Sequence, residues 1–340
     1  MADATGILVI GERPENGGRR GITLELLGAA RKLATETGDS IDVLLLGAAI
    51  PEPEANGLIE YGAARIHALE HPLLGEYNPD IFTTTVTEAV RRINPSIVLF
   101  GRTEMGQDVA PAMAFRLKTG VAMDCLDLTV DPASKRLVMV RPVYGGNARA
   151  NYMVAQGRFP QVASVRPKTQ DPAEPVAGHS GEVIRPQLDL DASVARTRQV
   201  SYQAWEAAEG VSLASAEIVV SGGRGIGSAE AYKEVIDGGA AILGGASGAS
   251  KAACDAGFAP PGNQVGLTGQ RVSPKLYIAV AMSGASQHLA GMGTAKNIVA
   301  INRDPDANIF KVSRFGVVGD YKQVMPAFLA KCRELLSQGE

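Results

Sequence analysis

Apolar residues in the first half of the chain alternate between two textures. A short continuous run, Ile7 to Ile10, is followed by Leu24, Leu27, Ala30, Leu33 and Ala34 at three- and four-residue steps, which predicts a strand and then a helix. The run Ile41 to Leu46 ends at Gly47. A helical stretch from about Pro79 to Arg92 leads into another apolar run, Ile97 to Phe100, and a further helix is predicted around Gln107 to Lys118. Alternation of this kind gives parallel strands joined by right-handed crossovers and buried on both faces. From Val121 to Val165 the texture changes. Short β-rich runs such as Leu137 to Val140 and Gln161 to Val165 sit between turns at Asp131-Pro132 and Gly145-Gly146-Asn147, and they predict antiparallel strands completing the first sheet. Pro167, Pro172, Pro175 and Pro186, among acidic and small residues, make 167–199 read as a connection between domains.

The pattern restarts near residue 200. Ile218 to Val220, Ala240 to Leu243, Leu276 to Ala281 and Ile298 to Asn302 read as parallel strands. Tyr321 to Ser337 reads as an amphipathic helix with Val324, Phe328, Cys332, Leu335 and Leu336 along one stripe. The expected fold class is therefore α/β with two domains. An N-terminal parallel-sheet α/β domain with added antiparallel strands spans 1–199, and a C-terminal doubly wound, Rossmann-like domain spans 200–340. The length of 340 residues agrees, because single hydrophobic cores stop growing at about 250–300 residues.

Charge and composition narrow the function. Acidic and basic residues nearly cancel, 36 against 33, so the basic excess that nucleic-acid binding needs is missing. No apolar run approaches the roughly 20 residues of a membrane span, and the N-terminus lacks a basic segment followed by an apolar one, so a cytoplasmic protein is expected. Cys125, Cys254 and Cys332 lie far apart and read as buried small apolar residues; the four histidines match no metal-binding spacing, so no metal cofactor is expected.

In an open parallel sheet, ligands bind beyond the carboxyl ends of the strands. Three Gly/Ser loops stand in such places. Ser221-Gly222-Gly223-Arg224-Gly225-Ile226-Gly227 follows one run, with Arg224 offering a fixed charge; Gly244 to Lys251 opens a helix, and Met282 to His288 opens another. Any one of them could simply let a helix sit close to the sheet, but three together point to a ligand. His288 begins a helix after a Ser-Gly loop, where its imidazole could donate to an anionic group. Ser283 shares that loop, yet the G-x-S-x-G elbow is missing and no third orienting acid is identifiable, which argues against serine nucleophile chemistry.

The stretch Pro274 to Met292, PKLYIAVAMSGASQHLAGM, resembles the signature of electron transfer flavoprotein alpha subunits. So do Ala300 to Phe310, Val318-Gly319-Asp320, Val220 to Gly225, Gly248 to Ala253 and Val265 to Gly269, in the family's order, with Gly106 to Pro111 and Arg141 to Ala148 matching more loosely. The resemblance covers essentially the whole chain. It implies an alpha subunit that pairs with a beta subunit, on which its N-terminal domain packs. It implies FAD in the C-terminal domain, and electrons taken from flavin-dependent dehydrogenases and passed to a quinone oxidoreductase, without substrate turnover by the chain itself. It implies a site at Arg224, Ser250, Lys251, Gly266, Leu267, Thr268, Ser283, Gly284, Ala285, Ser286, Gln287, His288, Asn302, Asp320 and Tyr321. Thr268 would face the flavin N5 region, His288 the C2 carbonyl, and Asn302 and Asp320 the adenosine. The family usually has Arg at Lys251, Gln at Leu267 and Gly-Ile at Ala281-Met282, so a specialised or electron-bifurcating branch stays open. A nicotinamide-dependent dehydrogenase on the same fold would need an acid–base pair beside the hydride acceptor, and only an isolated histidine is seen. A flavin-free structural subunit is the third alternative.

Overall fold

Apolar runs too short for helices become strands buried on both faces. The structure, a computed structural model, describes residues 4–13, 21–144, 148–201, 211–213 and 216–337. Contacts divide the chain into two compact units, Met1–Val143 with Arg149–Tyr202, and Tyr144–Ala148 with Gln203–Glu340.

The first unit begins with β1 (Ile7–Ile10), α1 (Gly21–Thr37), β2 (Ile41–Gly47), α2 (Glu52–Ile59) and β3 (Arg65–Glu70). It continues through α3 (Pro79–Ile93), β4 (Ile97–Gly101), α4 (Glu104–Arg116), β5 (Val121–Cys125), β6 (Asp127–Val130) and β7 (Leu137–Val143). After β8 (Ala148–Tyr152) come β9 (Gln161–Val165) and β10 (Glu182–Ile184). Seven strands form one sheet in the order β10-β3-β2-β1-β4-β9-β5, with every pairing parallel. Leu26, Leu27 and Leu33 of α1 pack with Val9, Val43 and Leu99 on one face, while Val86 and Val90 of α3 and Val109 and Met113 of α4 pack with Leu8, Leu44 and Phe100 on the other. This two-sided cover is why the strands carry continuous rather than alternating apolar runs. A bidentate pair, Arg166 Nε and Nη2 to Asp124 at 2.8 and 2.7 Å, ties β5 to the chain leaving β9 and satisfies both buried charges.

Three expectations for this region need correction. Gln161 to Val165 is parallel to β4, not antiparallel, and it lies inside the sheet between β4 and β5. The antiparallel strands do not complete the first sheet: β6 and β7 pair antiparallel in a separate three-stranded sheet, order β6-β7-β8. The Pro-rich segment is not only a connection, since β10 adds a parallel edge strand beside β3. The turn expected at Gly145-Gly146-Asn147 lies outside the described residues.

The second unit runs β11 (Ile218–Gly222), α5 (Ala229–Tyr232), a π-helical turn (Lys233–Asp237), α6 (Gly238–Ile242) and β12 (Ala246–Ala249). It then gives α7 (Lys251–Asp255), β13 (Leu276–Val280), α8 (Ser286–Met292), β14 (Asn297–Asn302), β15 (Phe315–Val318) and α9 (Tyr321–Ser337). The sheet order is β12-β11-β13-β14-β15, all parallel. Tyr232, Ile236 and Ala240, with Met325 and Leu329 of α9, cover one face; Met292 of α8 covers the other with Val219, Tyr277 and Ala300. The strand expected at Ala240 to Leu243 is instead the end of a helical run. Buried Tyr232, Ile236 and Ala240 recur every four residues, a helical stripe, and the strand falls on the Ala-Ser-Gly-Ala of β12. The expected loop from Gly244 to Lys251 therefore contains β12, and α7 opens at its end. Cys125 is buried as expected, whereas Cys254 and Cys332 are partly exposed. Among the described residues no helix is long and apolar enough to cross a membrane.

Candidate cofactor-binding site

Numbered within its own unit, the second sheet has strand order 2-1-3-4-5, and the direction of winding reverses between β11 and β13. At such a switch point the loops leaving two neighbouring strands part to opposite faces and open a crevice. The strand ends approach closely here. A Cβ on Gly223 would lie 2.2 Å from the Ala281 carbonyl oxygen, and one on Gly225 would lie 2.9 Å from it, so both positions need glycine. Beyond them lies a cleft of about 710 Å³, beside a smaller cavity of about 210 Å³. Gly225 and Ala281 line both and form the waist between them. The larger volume falls inside the roughly 300–1,000 Å³ of ligand pockets.

Local bonding shapes the walls of the large cleft. Arg224 is exposed, and no ion pair holds its guanidinium among the described residues. Ser250 caps α7, its hydroxyl accepting from Ala253 N at 3.2 Å. Lys251 Nζ bonds both carboxylate oxygens of Asp255, at 2.9 and 2.7 Å, one turn further along the same exposed helix face. Gly266 and Leu267 run beside α8, with Leu267 N donating to the Gln287 carbonyl at 2.7 Å; the Leu267 side chain is half exposed, and Thr268 Oγ1 accepts from Gln264 Nε2 at 3.0 Å. Ser283, Gly284, Ala285 and Gln287 form the facing wall. Gly284 has φ +78°, and a Cβ there would sit 2.2 Å from Ile309 N, because Ile309 N donates to the Ser283 carbonyl at 3.1 Å. Ser286 is exposed and lines neither cavity.

His288 closes the floor. Only 6% exposed, it places Nε2 2.9 Å from the Tyr277 hydroxyl, while Nδ1 is buried with no partner that meets hydrogen-bond geometry. Burial pushes its pKa down from 6.5 to about 4, with the Val265 backbone opposing weakly, so the imidazole is neutral near pH 7. In the smaller cavity the polar groups also hold the loops. Asn302 Nδ2 donates to the Met282 carbonyl at 2.8 Å, Asp320 Oδ1 accepts from Lys322 N at 2.9 Å at the start of α9, and the Tyr321 hydroxyl donates to the Ile226 carbonyl at 2.6 Å.

The structure thus brings together the sequence-derived positions except Ser286, in two adjoining cavities. It adds Asp255, Gln264, Val265 and Met282 to the lining. Asp255 was findable, because an acid four residues after a lysine on a helix forms an ion pair. Ala281 adds strain: φ is +52°, a left-handed conformation that costs a residue with a Cβ about 1–2 kcal/mol. Ala281→Gly is expected to raise the stability of the second unit by up to about 1 kcal/mol, the relief exceeding the extra chain entropy of glycine. Denaturant titration should show a higher midpoint at unchanged slope; a lower midpoint would mean that the Cβ makes packing contacts worth more than its strain.

A glycine-lined approach to strand ends, a free guanidinium and an orphaned buried ring nitrogen fit an anionic, aromatic cofactor. Fold and cleft together define a nucleotide-cofactor-binding α/β protein. Residues 7–191 match the electron transfer flavoprotein domain, and residues 212–293 match the electron transfer flavoprotein FAD-binding domain. The chain is 39% identical over 338 residues to the electron transfer flavoprotein subunit alpha of Thermoanaerobacterium thermosaccharolyticum, covering 98% of this chain and 100% of that one. It is 40% identical over 327 residues to the corresponding subunit of Megasphaera elsdenii, covering 96% of each, and 35% identical over 337 residues to protein FixB of Clostridium saccharobutylicum, covering 99% of each. The chain belongs to the electron transfer flavoprotein alpha subunit family, and its second unit carries the family's FAD-binding domain.

Proposed function

We propose that the chain holds FAD across the two cavities, works as a heterodimer with an electron transfer flavoprotein beta subunit, and relays electrons from a flavin-dependent dehydrogenase to a quinone oxidoreductase. The observation that carries this reading is the cleft itself, a switch-point crevice with a positive rim at Arg224 and a buried neutral histidine on its floor. FAD supplies the capacity to take electrons one or two at a time. The chain binds, orients and tunes. Arg224 offers charge to the pyrophosphate, Asn302 and Asp320 flank the adenosine, and Thr268 and His288 meet the isoalloxazine ring. Lys251, held by Asp255, puts a neutralised ion pair where the family usually has arginine. A dehydrogenase mechanism is less well supported, since His288 is tied to Tyr277 and Asp255 to Lys251, leaving no acid–base pair poised in the cleft among the described residues.

Co-expression with the beta subunit tests the proposal. A yellow complex of the two chains with bound FAD is expected, which a flavin-dependent dehydrogenase reduces and an added quinone oxidoreductase reoxidises, while NAD(P)H alone gives no turnover. A colourless complex, or nicotinamide-dependent turnover by the chain alone, would overturn it.

A further inference from the structure

Three polar side chains meet inside the second unit where apolar packing would be expected. Ser221 lies on β11 and Tyr277 on β13, both fully buried; Tyr277 pairs in register with Val219, two residues before Ser221, so the two side chains share a sheet face. His288 reaches the same place from α8, its Nε2 2.9 Å from the Tyr277 hydroxyl. Of the described residues, only Arg141 Nε, Ser221 Oγ and His288 Nδ1 are buried side-chain atoms without a partner, and two of these flank Tyr277. A buried polar group costs free energy unless a bond or a function compensates it, which makes this cluster a place where polar chemistry is retained.

The hydroxyl of Tyr277 has one proton to give, and burial holds it there by raising its pKa. If Tyr277 donates to Nε2, the proton of the neutral imidazole sits on Nδ1. If Nε2–H donates instead, the tyrosine proton must turn towards Ser221 and Nδ1 is left bare. A phenol O–H is the better donor of the two and a bare imidazole nitrogen the better acceptor, which favours the first arrangement at the 2.9 Å contact. The ring that lines the cleft thus has its tautomer chosen from behind by a residue that does not itself line the cleft.

We propose that Tyr277 is a positioning residue which, by donating to His288 Nε2, fixes His288 as the Nδ1–H tautomer and thereby sets the reduction potential of the flavin bound in the cleft. This rests on the reading of the cleft as the FAD site.

The test uses the FAD-loaded complex with the beta subunit. Because the chain has only four histidines, ¹⁵N-histidine labelling with a His288→Ala control for assignment reads the His288 ring directly. Wild type should give the separated ring shifts of one neutral tautomer. Tyr277→Phe should give averaged shifts and a potential lowered in the same direction as in His288→Ala but by less, and adding Tyr277→Phe to His288→Ala should change the potential no further. Unchanged shifts in the Phe variant, or an equal potential change in the absence of His288, would overturn the proposal. If the Phe variant fails to retain FAD, the wild-type shifts decide: those of the Nδ1–H tautomer uphold the proposal, and those of the Nε2–H tautomer or averaged shifts overturn it. A wild-type complex that binds no FAD would instead remove the site reading, while the ring shifts would still report the Tyr277–His288 bond.

Discussion

Gly284→Ala is expected to remove FAD from the chain and to destabilise the second unit by about 2–5 kcal/mol. At φ +78° any Cβ costs about 1–2 kcal/mol of backbone strain. A methyl group there would also lie 2.2 Å from Ile309 N and 2.6 Å from its Cα. Those are backbone atoms and cannot rotate away, so the loop must shift, adding about 1–3 kcal/mol of overpacking. The shift breaks the bond from Ile309 N to the Ser283 carbonyl and moves Ser283, Ala285 and Gln287, the wall of the large cleft. Absorbance of the purified protein and a denaturant titration check both parts. A variant that keeps full flavin and wild-type stability would show that Gly284 is dispensable.

His288→Ala is expected to lower the flavin potential, by less than the roughly 65–130 mV (about 1.5–3 kcal/mol) that a direct hydrogen bond to a group gaining charge would carry, because Nε2 is bonded to Tyr277 and Nδ1 is buried. On the proposed reading of the site, the neutral imidazole acts as an oriented dipole rather than as a cation. The same variant should also alter acid stability. The folded pKa of about 4 lies below the unfolded value of 6.5, so the unfolded state binds the proton more readily. The histidine's penalty is absent above pH 6.5 and grows as pH falls towards 4, reaching about 3 kcal/mol. Melts of wild type and variant should therefore converge as pH falls through that window. Parallel melts, or an unchanged potential in a fully loaded variant, would count against His288 in this role.

Much of this was written in residue order. Ile7 to Ile10, Ile41 to Leu46 and Ile97 to Phe100 each become strands because so short an apolar run buries itself best in a sheet. Tyr321 to Ser337 is a helix as expected, but its buried stripe is Tyr321, Met325 and Leu329, while Val324, Phe328 and Cys332 are half-buried and Leu335 and Leu336 exposed. Partnership was harder to read. Gln161 to Val165 alternates no differently in a parallel pairing than in an antiparallel one, so its place between β4 and β5 follows only from contacts far along the chain. Ala246 to Ala249 carries no bulky or β-branched residue; it is held as a strand by pairing with β11, a tertiary cause that local propensity does not record. In the site, glycines and His288 were visible as loop chemistry. The Tyr277 bond was not, because Tyr277 reads as one more apolar strand residue until α8 folds back over it.

The position of β9 also has a cost in time. β5 ends at Cys125 and borders only β9, which begins at Gln161, so the strand made first must wait for the strand that separates it from β4. At about 5–20 residues per second, the 35 residues between those two positions take a ribosome roughly 2–7 s to add. Through that interval the nascent chain presents the open edge of β4 beside an apolar strand that could pair there in the wrong place. Unpaired edges of this kind template mispairing. The intervening β6 and β7 pair with each other across a short turn, so the edges they turn to each other are closed before β9 emerges.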